Sequence, residues 1–363
     1  MPPRLVRRLL FAPAVLLLAA WAIVSLPVAG LVALVIVPFV PGRWRPVRIL
    51  WFTFVYLLIE AVGLTAAFVL WVASGFGWKL RTPRFQELHY LVLGLALGFL
   101  VRCARWTFNL DIHVDERDLD ATELTGRPPI VVLARHAGPG DSFLLVATLL
   151  YRRWRPRIVL KSVLQWDPLL DVMLNRLPCR FIPASTKGRS ESIEAIGRLA
   201  GSMGPDDALV IFPEGGNFTE SRRHRSIVKL EELGLHDEAD RARQMRHVLA
   251  PRTSGALAAI EAAPHAEVVL VAHTGLEELS TPVDLWRGLP MDAEVRAKAW
   301  RVYPHQIPEE LAERKTWLYE WWLRVDTWIV RQQGITRVPD AVAQRVRELT
   351  AADVEFHPDD VGG

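Results

Sequence analysis

The sequence predicts an α/β fold, a mixed sheet covered by helices on both faces, behind an N-terminal helical membrane anchor. Three observations predict it. Residues 1–105 are apolar for most of their length, interrupted by short basic clusters. From Trp106 onward, short apolar runs alternate with segments of helical period, as in strands covered by crossing helices. Two of those runs end in polar loops rich in reactive side chains, at 136–141 and 212–215.

Composition narrows the class. The 363 residues exceed what one small domain needs, so a core domain with an appendage is expected. Hydrophobic residues make up 51% of the chain, and mean hydropathy is +0.17. A net charge of +3 suits an anionic membrane surface. No long basic run or aromatic-interleaved patch points to nucleic acid. Cys103 and Cys179 offer neither a disulfide framework nor zinc spacing, and no metal is expected.

The anchor comes first. Segments 9–40 and 51–76 both exceed the roughly 20 apolar residues that cross a bilayer. A third stretch, 91–101, is too short by itself. The start resembles a signal peptide, but the apolar run outlasts an h-region, which predicts an uncleaved anchor. Basic clusters flank every segment: Arg4, Arg7 and Arg8, then Arg43, Arg45 and Arg48, then Lys79, Arg81 and Arg84. The positive-inside rule puts all of them on the cytoplasmic side. Re-entrant hairpins satisfy that, with Pro13, Pro27 and Pro38 breaking the first segment. Two ordinary spans with one basic loop outside are the alternative. Glu60 lies at membrane depth, where an ionisable group is either functional or turned toward a neighbouring helix.

In the globular domain, 106–335, strands are expected at 107–114, 130–134, 157–160, 179–182, 208–212 and 268–272. Helices are expected at 142–151, 168–176, 190–202, 235–247 and 255–262. A charged stretch, 221–246, reads as a helical hairpin whose basic start, Arg222 to Arg225, rims the site. No internal repeat is evident. Near the end, a short strand precedes a helix whose Trp317, Trp321 and Trp328 pack on the core, and 336–363 form a C-terminal helix and loose tail.

The chemistry centres on His136 and Asp141. The loop between them holds Gly138, Pro139 and Gly140, which force a tight turn. Such a turn brings the Asp141 carboxylate to the imidazole, fixing its tautomer and making the other ring nitrogen a better base. Asp141 also suits a helix N-terminus. His113 and Asp118 repeat the spacing on an alternating strand, where His113 reads as a surface residue. His224, His236 and His247 read as surface histidines too.

The pair His136–Asp141, followed by Phe212-Pro213-Glu214-Gly215, resembles the glycerolipid acyltransferase family. The resemblance covers roughly 106–330. It is closest to the lysophosphatidic acid and lysocardiolipin acyltransferase branch, in FPEGGNFTESRRHRS and in HVLAPRTSG at 247–255. It implies a membrane-bound enzyme that moves a fatty acyl group from acyl-CoA, or an acyl carrier protein, to a lysolipid hydroxyl. The implied localisation is the inner or cytoplasmic membrane, with the catalytic domain on the cytoplasmic side. No cofactor is implied; acyl-CoA is a co-substrate.

By that resemblance His136 is the general base and Asp141 orients it, while Glu214 and Gly215 help position the acceptor. Two family arginines are absent. One would stand at Ala184, where Lys187 and Arg189 are close enough to replace its charge. The other would stand at Asn217, after Gly216, where Arg222, Arg223, Arg225 or Arg252 are the candidates. An arginine clamps phosphate bidentately, and Asn cannot supply that charge. Backbone N–H groups of the glycine-rich loop are the expected oxyanion donors. A non-phosphate glycolipid acceptor, a hydrolase acting on acyl thioesters or lipids, and a lipid-binding module without turnover are the alternatives. The hydrolase lacks a G-x-S-x-G nucleophile motif.

Overall fold

The structure, a computed structural model, describes residues 2–40, 42–115, 126–182, 189–277, 286 and 289–333. Three helices come first: α1 (Arg4–Phe39), α2 (Arg45–Ala73) and α3 (Pro83–Phe108), each long and apolar enough to cross a membrane. Helix α1 runs on through Pro13 and Pro27 and gives way to a 3-10 turn at Val37–Phe39, so Pro38 sits where the break falls. Helix α3 is longer than the apolar stretch 91–101 suggested. It begins at Pro83 in the first turn, where a missing N–H costs nothing. It also absorbs Thr107 and Phe108, which the sequence assigned to a strand.

The α/β domain continues in the order β1 (Asp111–Asp115), β2 (Ile130–Ala134), α4 (Pro139–Tyr151), β3 (Arg155–Lys161), α5 (Pro168–Leu174), β4 (Arg180–Ile182), α6 (Arg189–Gly201), β5 (Asp207–Ile211), α7 (Glu220–Glu232), α8 (His236–Gln244), α9 (Thr253–Ala262), β6 (Glu267–Thr274), β7 (Glu294–Val302) and α10 (Leu311–Gln332). A 3-10 segment, Ser162–Trp166, joins β3 to α5. Among the described residues the sheet order is β1-β7-β6-β2-β5-β3-β4, all neighbours parallel except β6 with β7. The expected mixed sheet is present, and β7 is a full strand. The tail at 336–363 lies outside the described residues.

Every residue of β2 and β5 is buried, as apolar central strands covered on both faces require. Alternate residues serve opposite layers. Val131, Leu133, Leu209 and Leu270 pack under α6, α9 and α10, with Trp322 fully buried among them. Ile130, Val132, Val210 and Val269 face the other way, with Leu149 of α4 and Trp154. Trp317, Trp321 and Trp328 pack against the first layer.

The anchor is fastened to this domain along its length. Val55, Ile59, Leu64 and Ala67 of α2 and Leu93 and Leu97 of α3 share one apolar cluster with Val146 of α4 and Leu169 of α5. Helix α5 is also a polar dock. Asp171 takes Arg7 at 2.8 Å, and Arg8 lies 3.8 Å away. Glu60 accepts the Leu169 N–H at 3.2 Å, and the Tyr56 hydroxyl donates to Asp167. Glu60 thus turns toward a neighbouring helix. At the far end of α1, Arg43 pairs with Asp292, Arg45 donates to the Leu289 carbonyl and Arg48 to that of Thr107. Arg7 and Arg8 of the first cluster and Arg43 and Arg45 of the second therefore bind the same domain, while Arg48 ties α2 to the end of α3.

Arg7 and Asp171 are nearly inaccessible to solvent, with 6% and 1% exposed. Breaking a buried pair by removing one partner costs about 3–5 kcal/mol, because the other charge stays buried. Asp171→Ala is expected to lower the Tm of the detergent-solubilised protein markedly. The double change Arg7→Met with Asp171→Leu should lower it much less. Equal losses would show that packing, rather than charge, fixes α1 to the domain.

Candidate active site

Strand β2 ends at Ala134, but its pairing with β6 reaches one residue further. Arg135 donates its N–H to the Val271 carbonyl of β6 at 3.0 Å. Gly138 is the N-cap of α4, and Pro139 takes its first turn. Asp141 sits at the third helical position, where its Oδ2 accepts the N–H groups of Ala137 at 2.7 Å and Gly138 at 2.9 Å. The same carboxylate meets His136 Nδ1 at 3.1 and 3.2 Å. Asp141 therefore caps the helix and holds the imidazole. With Nδ1 on the carboxylate, Nε2 is the nitrogen left to act as base. The His136 ring packs against Phe212, centroids 4.6 Å apart.

Asp141 is buried, which pushes its carboxyl up, but hydrogen bonds from His136 and His273 outweigh this and hold it far below the carboxylate range. It stays ionised. The Ala137 and Gly138 N–H groups are committed to it, and the Gly215 N–H goes to the Phe212 carbonyl at 3.0 Å. Those three amides are not the oxyanion donors the sequence suggested.

Glu214 ties two loops together. Its Oε1 accepts the His136 backbone N–H and its Oε2 that of Leu249, both at 2.9 Å. Burial pushes its carboxyl up to about 8, against the pull of these two bonds and of Arg135. Both oxygens are thus occupied in shaping the site. The loop carrying Leu249 is held in turn by Asp326 of α10, which accepts the N–H groups of Arg246 and His247. Arg135, fully buried, binds the His247 carbonyl at 2.9 Å and Glu277 at 2.6 Å. His247 is accordingly half-buried, not a plain surface residue. His224 and His236 are exposed. His113 is exposed on β1 beside Asp111, and Asp118 lies outside the described residues.

A cation cluster lies against the next residues. Gly215 has φ +68°, which favours glycine, and a Cβ there would come 2.8 Å from the Arg252 guanidinium carbon, so Arg252 lies directly against the turn. A Cβ on Gly216 would meet Arg222 at 3.3 Å and the Lys161 ammonium at 3.9 Å. Burial pushes the Lys161 ammonium down, and Arg222 and Arg252 push it further. No carboxylate among the described residues pairs with any of the three. Arg222 and Arg252 thus flank the loop that lacks the family arginine. Arg223 turns away, bonding the Met245 and Arg243 carbonyls and Glu220. Arg225 caps back on Ser221. Arg189 opens α6, and Lys187, with Ala184, lies outside the described residues.

Sequence reasoning passed over Lys161, Arg135 and His273. His273 had a signal. Residues 131–136 read VVLARH and residues 268–273 read VVLVAH. The strands pair in parallel with Val131 beside Val268, so the two histidines end neighbouring strands at the same level. His273 Nε2 lies 3.5 Å from Asp141 Oδ2. Lys161 had none beyond its place at the end of an apolar run.

The comparisons bear on this geometry. A family model described as acyltransferase matches residues 114–273. That stretch is less than half of the chain. The match begins in β1 and ends on His273, so it encloses His136, Asp141, Lys161, Glu214, Arg222 and Arg252. A Schizosaccharomyces pombe protein named as an uncharacterized acyltransferase is 22% identical over 180 residues, 47% of this chain and 49% of the relative. The chain thus aligns with about half the length of that relative. The crystal structure of the 1-acyl-sn-glycerophosphate (LPA) acyltransferase PlsC from Thermotoga maritima is similar at 16% identity and a TM-score of 0.46, covering 81% of this chain and 99% of that one.

Within the matched stretch Glu214 has a folded-state pKa raised from 4.5 to about 8. Its contribution to stability is complete below pH 4.5, where both states are protonated, and is lost as pH rises toward 8. Glu214→Gln removes that titration but sets an amide NH2 against a backbone N–H, at a cost of about 1–3 kcal/mol. Chemical unfolding should find the variant less stable at pH 5 and should find a weaker fall in its stability between pH 5 and 8. An unchanged pH slope would mean that Glu214 does not titrate there.

Proposed function

We propose that the protein is a membrane-bound O-acyltransferase that moves a fatty acyl group from acyl-CoA to a hydroxyl of an anionic lysolipid, with a lysophospholipid of the 1-acylglycerol-3-phosphate type as the leading acceptor. The observation that carries this is the position of the Lys161, Arg222 and Arg252 cluster, one residue beyond the Glu214 carboxylate that holds His136. A group of cations beside a base, without a carboxylate partner among the described residues, suits a substrate bearing a phosphate near its reactive hydroxyl. The missing arginine at position 217 argues less against a phosphate once Arg222 and Arg252 are taken into account.

His136 Nε2 takes the proton of the acceptor hydroxyl as its oxygen attacks the thioester carbonyl. Asp141 keeps the Nδ1 proton in place and stabilises the imidazolium. The tetrahedral intermediate then collapses, the C–S bond breaks, and the proton passes from Nε2 to the departing thiolate. The thioester is already activated, so no acyl-enzyme is required. An apolar cavity beneath α4 is lined by Asp141, His273, Leu145, Leu149, Val269 and Trp154. At about 70 Å³ it holds only a few methylene groups, so a fatty acyl chain does not fit it in this conformation. The family domain and the apolar helices support acyl transfer at a membrane, and the basic clusters favour the cytoplasmic face.

CoA release by the purified protein, with and without an acceptor panel, tests the reading. Acceptor-dependent release should fall about 100-fold or more in His136→Ala. Release that ignores the acceptor but still needs His136 would replace the transferase with a hydrolase. Lys161→Met and Arg252→Met should each raise KM for a phosphate-bearing lysolipid roughly tenfold, while KM for a neutral monoacylglycerol stays put. The same change for both acceptors would dismiss the anionic acceptor.

A further inference from the structure

Strands β2 and β6 run side by side toward the active site, and their register, continued by two residues, sets His136 beside His273. The Arg135 N–H reaches the Val271 carbonyl of β6 at 3.0 Å. The Arg135 carbonyl is met by a side chain, with His273 Nε2 at 3.3 Å. A carbonyl accepts only, so Nε2 carries the ring hydrogen. Asp141 Oδ2 lies 3.5 Å from the same nitrogen. One N–H thus serves a backbone carbonyl and the carboxylate that holds His136.

A histidine that merely filled this place would be a poor choice. The residue is 6% exposed, and its Nδ1 has no hydrogen-bonding partner among the described residues. Burying such a nitrogen is unfavourable, and an aliphatic side chain would avoid the cost. The ring is also mounted rigidly. Arg135, fully buried, donates to the His273 carbonyl at 2.5 Å, and β7 pairs Ala297 with His273 on the far side. The chain beyond turns at Gly275, φ +97°, where a Cβ would collide with the Glu294 carbonyl.

Asp141 has donors from its own turn and helix: Ala137 and Gly138 N–H on Oδ2, and the Ser142 hydroxyl on Oδ1 at 3.1 Å, beside His136. His273 adds one from another strand. We propose that His273 is a positioning residue for acyl transfer: its Nε2–H ties the Asp141 carboxylate to β6, which keeps His136 turned with Nε2 toward the acceptor hydroxyl and moderates the carboxylate's pull on the imidazolium. This rests on the acyl-transfer reading above. Without that hydrogen, Asp141 becomes a stronger acceptor for His136 Nδ1. The imidazolium is then better stabilised, and His136 titrates at higher pH. The other titratable groups around the pair are Glu214 on the His136 N–H, Arg135 with Glu277, His247, and Arg152 and Lys298 along the cavity. None of them changes when position 273 is replaced, so differences between variants at this position report on Asp141 and His136.

The test compares the full-length wild type with His273→Leu, which has no donor, and His273→Gln, whose amide nitrogen takes the place of Nε2. In CoA release with acyl-CoA and 1-acylglycerol-3-phosphate, His273→Leu should lower kcat about 30-fold and leave both KM values within about twofold. The acid limb of its kcat/KM profile should move to higher pH. His273→Gln should recover most of kcat and return the limb to its wild-type position. Equal losses in both variants, no loss in either, or a loss of kcat with an unmoved limb in His273→Leu overturn the proposal. The ring of His136 is also titrated by NMR in protein labelled with 15N-histidine, which needs no turnover. A midpoint raised in His273→Leu and restored in His273→Gln supports the tie, and an unmoved midpoint overturns it. Wild-type protein that transfers to no acceptor but shows the raised and restored midpoints overturns the acyl-transfer reading and not the tie.

Discussion

Two carboxyl groups taken out of water, Asp141 and Glu214, govern the site. A buried carboxylate is tolerated only where donors surround it. Here the donors are largely backbone N–H groups at the ends of the strands: Ala137 and Gly138 for Asp141, and His136 and Leu249 for Glu214. Satisfying the carboxylates therefore dictates the path of the loops. Asp141 turns the chain after β2 into a helix and presents His136 with one nitrogen open. Glu214 joins that turn to the 246–249 loop, which α10 holds through Asp326. The reactive pair is held from both layers of the domain.

The arginines divide by the same reasoning. Arg135, Arg223 and Arg7 spend their donors on carbonyls and carboxylates within the fold. Lys161, Arg222 and Arg252 stand together against a glycine turn, exposed and without a carboxylate among the described residues, where Arg222 and Arg252 impose a repulsion on Lys161. An anion would relieve it.

Much of this was legible in the sequence. Continuous apolar runs such as 130–134 marked central strands, because strands covered on both faces cannot alternate. His136 and Asp141 were legible because the turn between them is written in Gly and Pro. The rest depends on pairing between distant segments. Lys161 matters only because β3 lies two strands from β2, which places its last residue beside Gly216. His273 required noticing that two strands repeat each other and then knowing that they are neighbours in register. Arg135 looked like a loop residue, since nothing in the sequence around it tells that the His247 carbonyl and Glu277 will enclose it. Thr107 and Phe108 looked like strand because a helix end and a strand start share the same apolar alternation over a few residues.

Helix α5 gives its two sides to different halves of the molecule. One side belongs to the catalytic domain, and the other receives Arg7, Tyr56, Glu60 and the apolar face of α2. The apolar helices are therefore not a tether from which a self-sufficient domain hangs. They complete its interior. A fragment cut free at position 106 would lose the apolar cover of Leu169 and Val172 and leave Asp171 without its arginine, so the boundary between anchor and α/β domain, plain in composition, is not a boundary of packing.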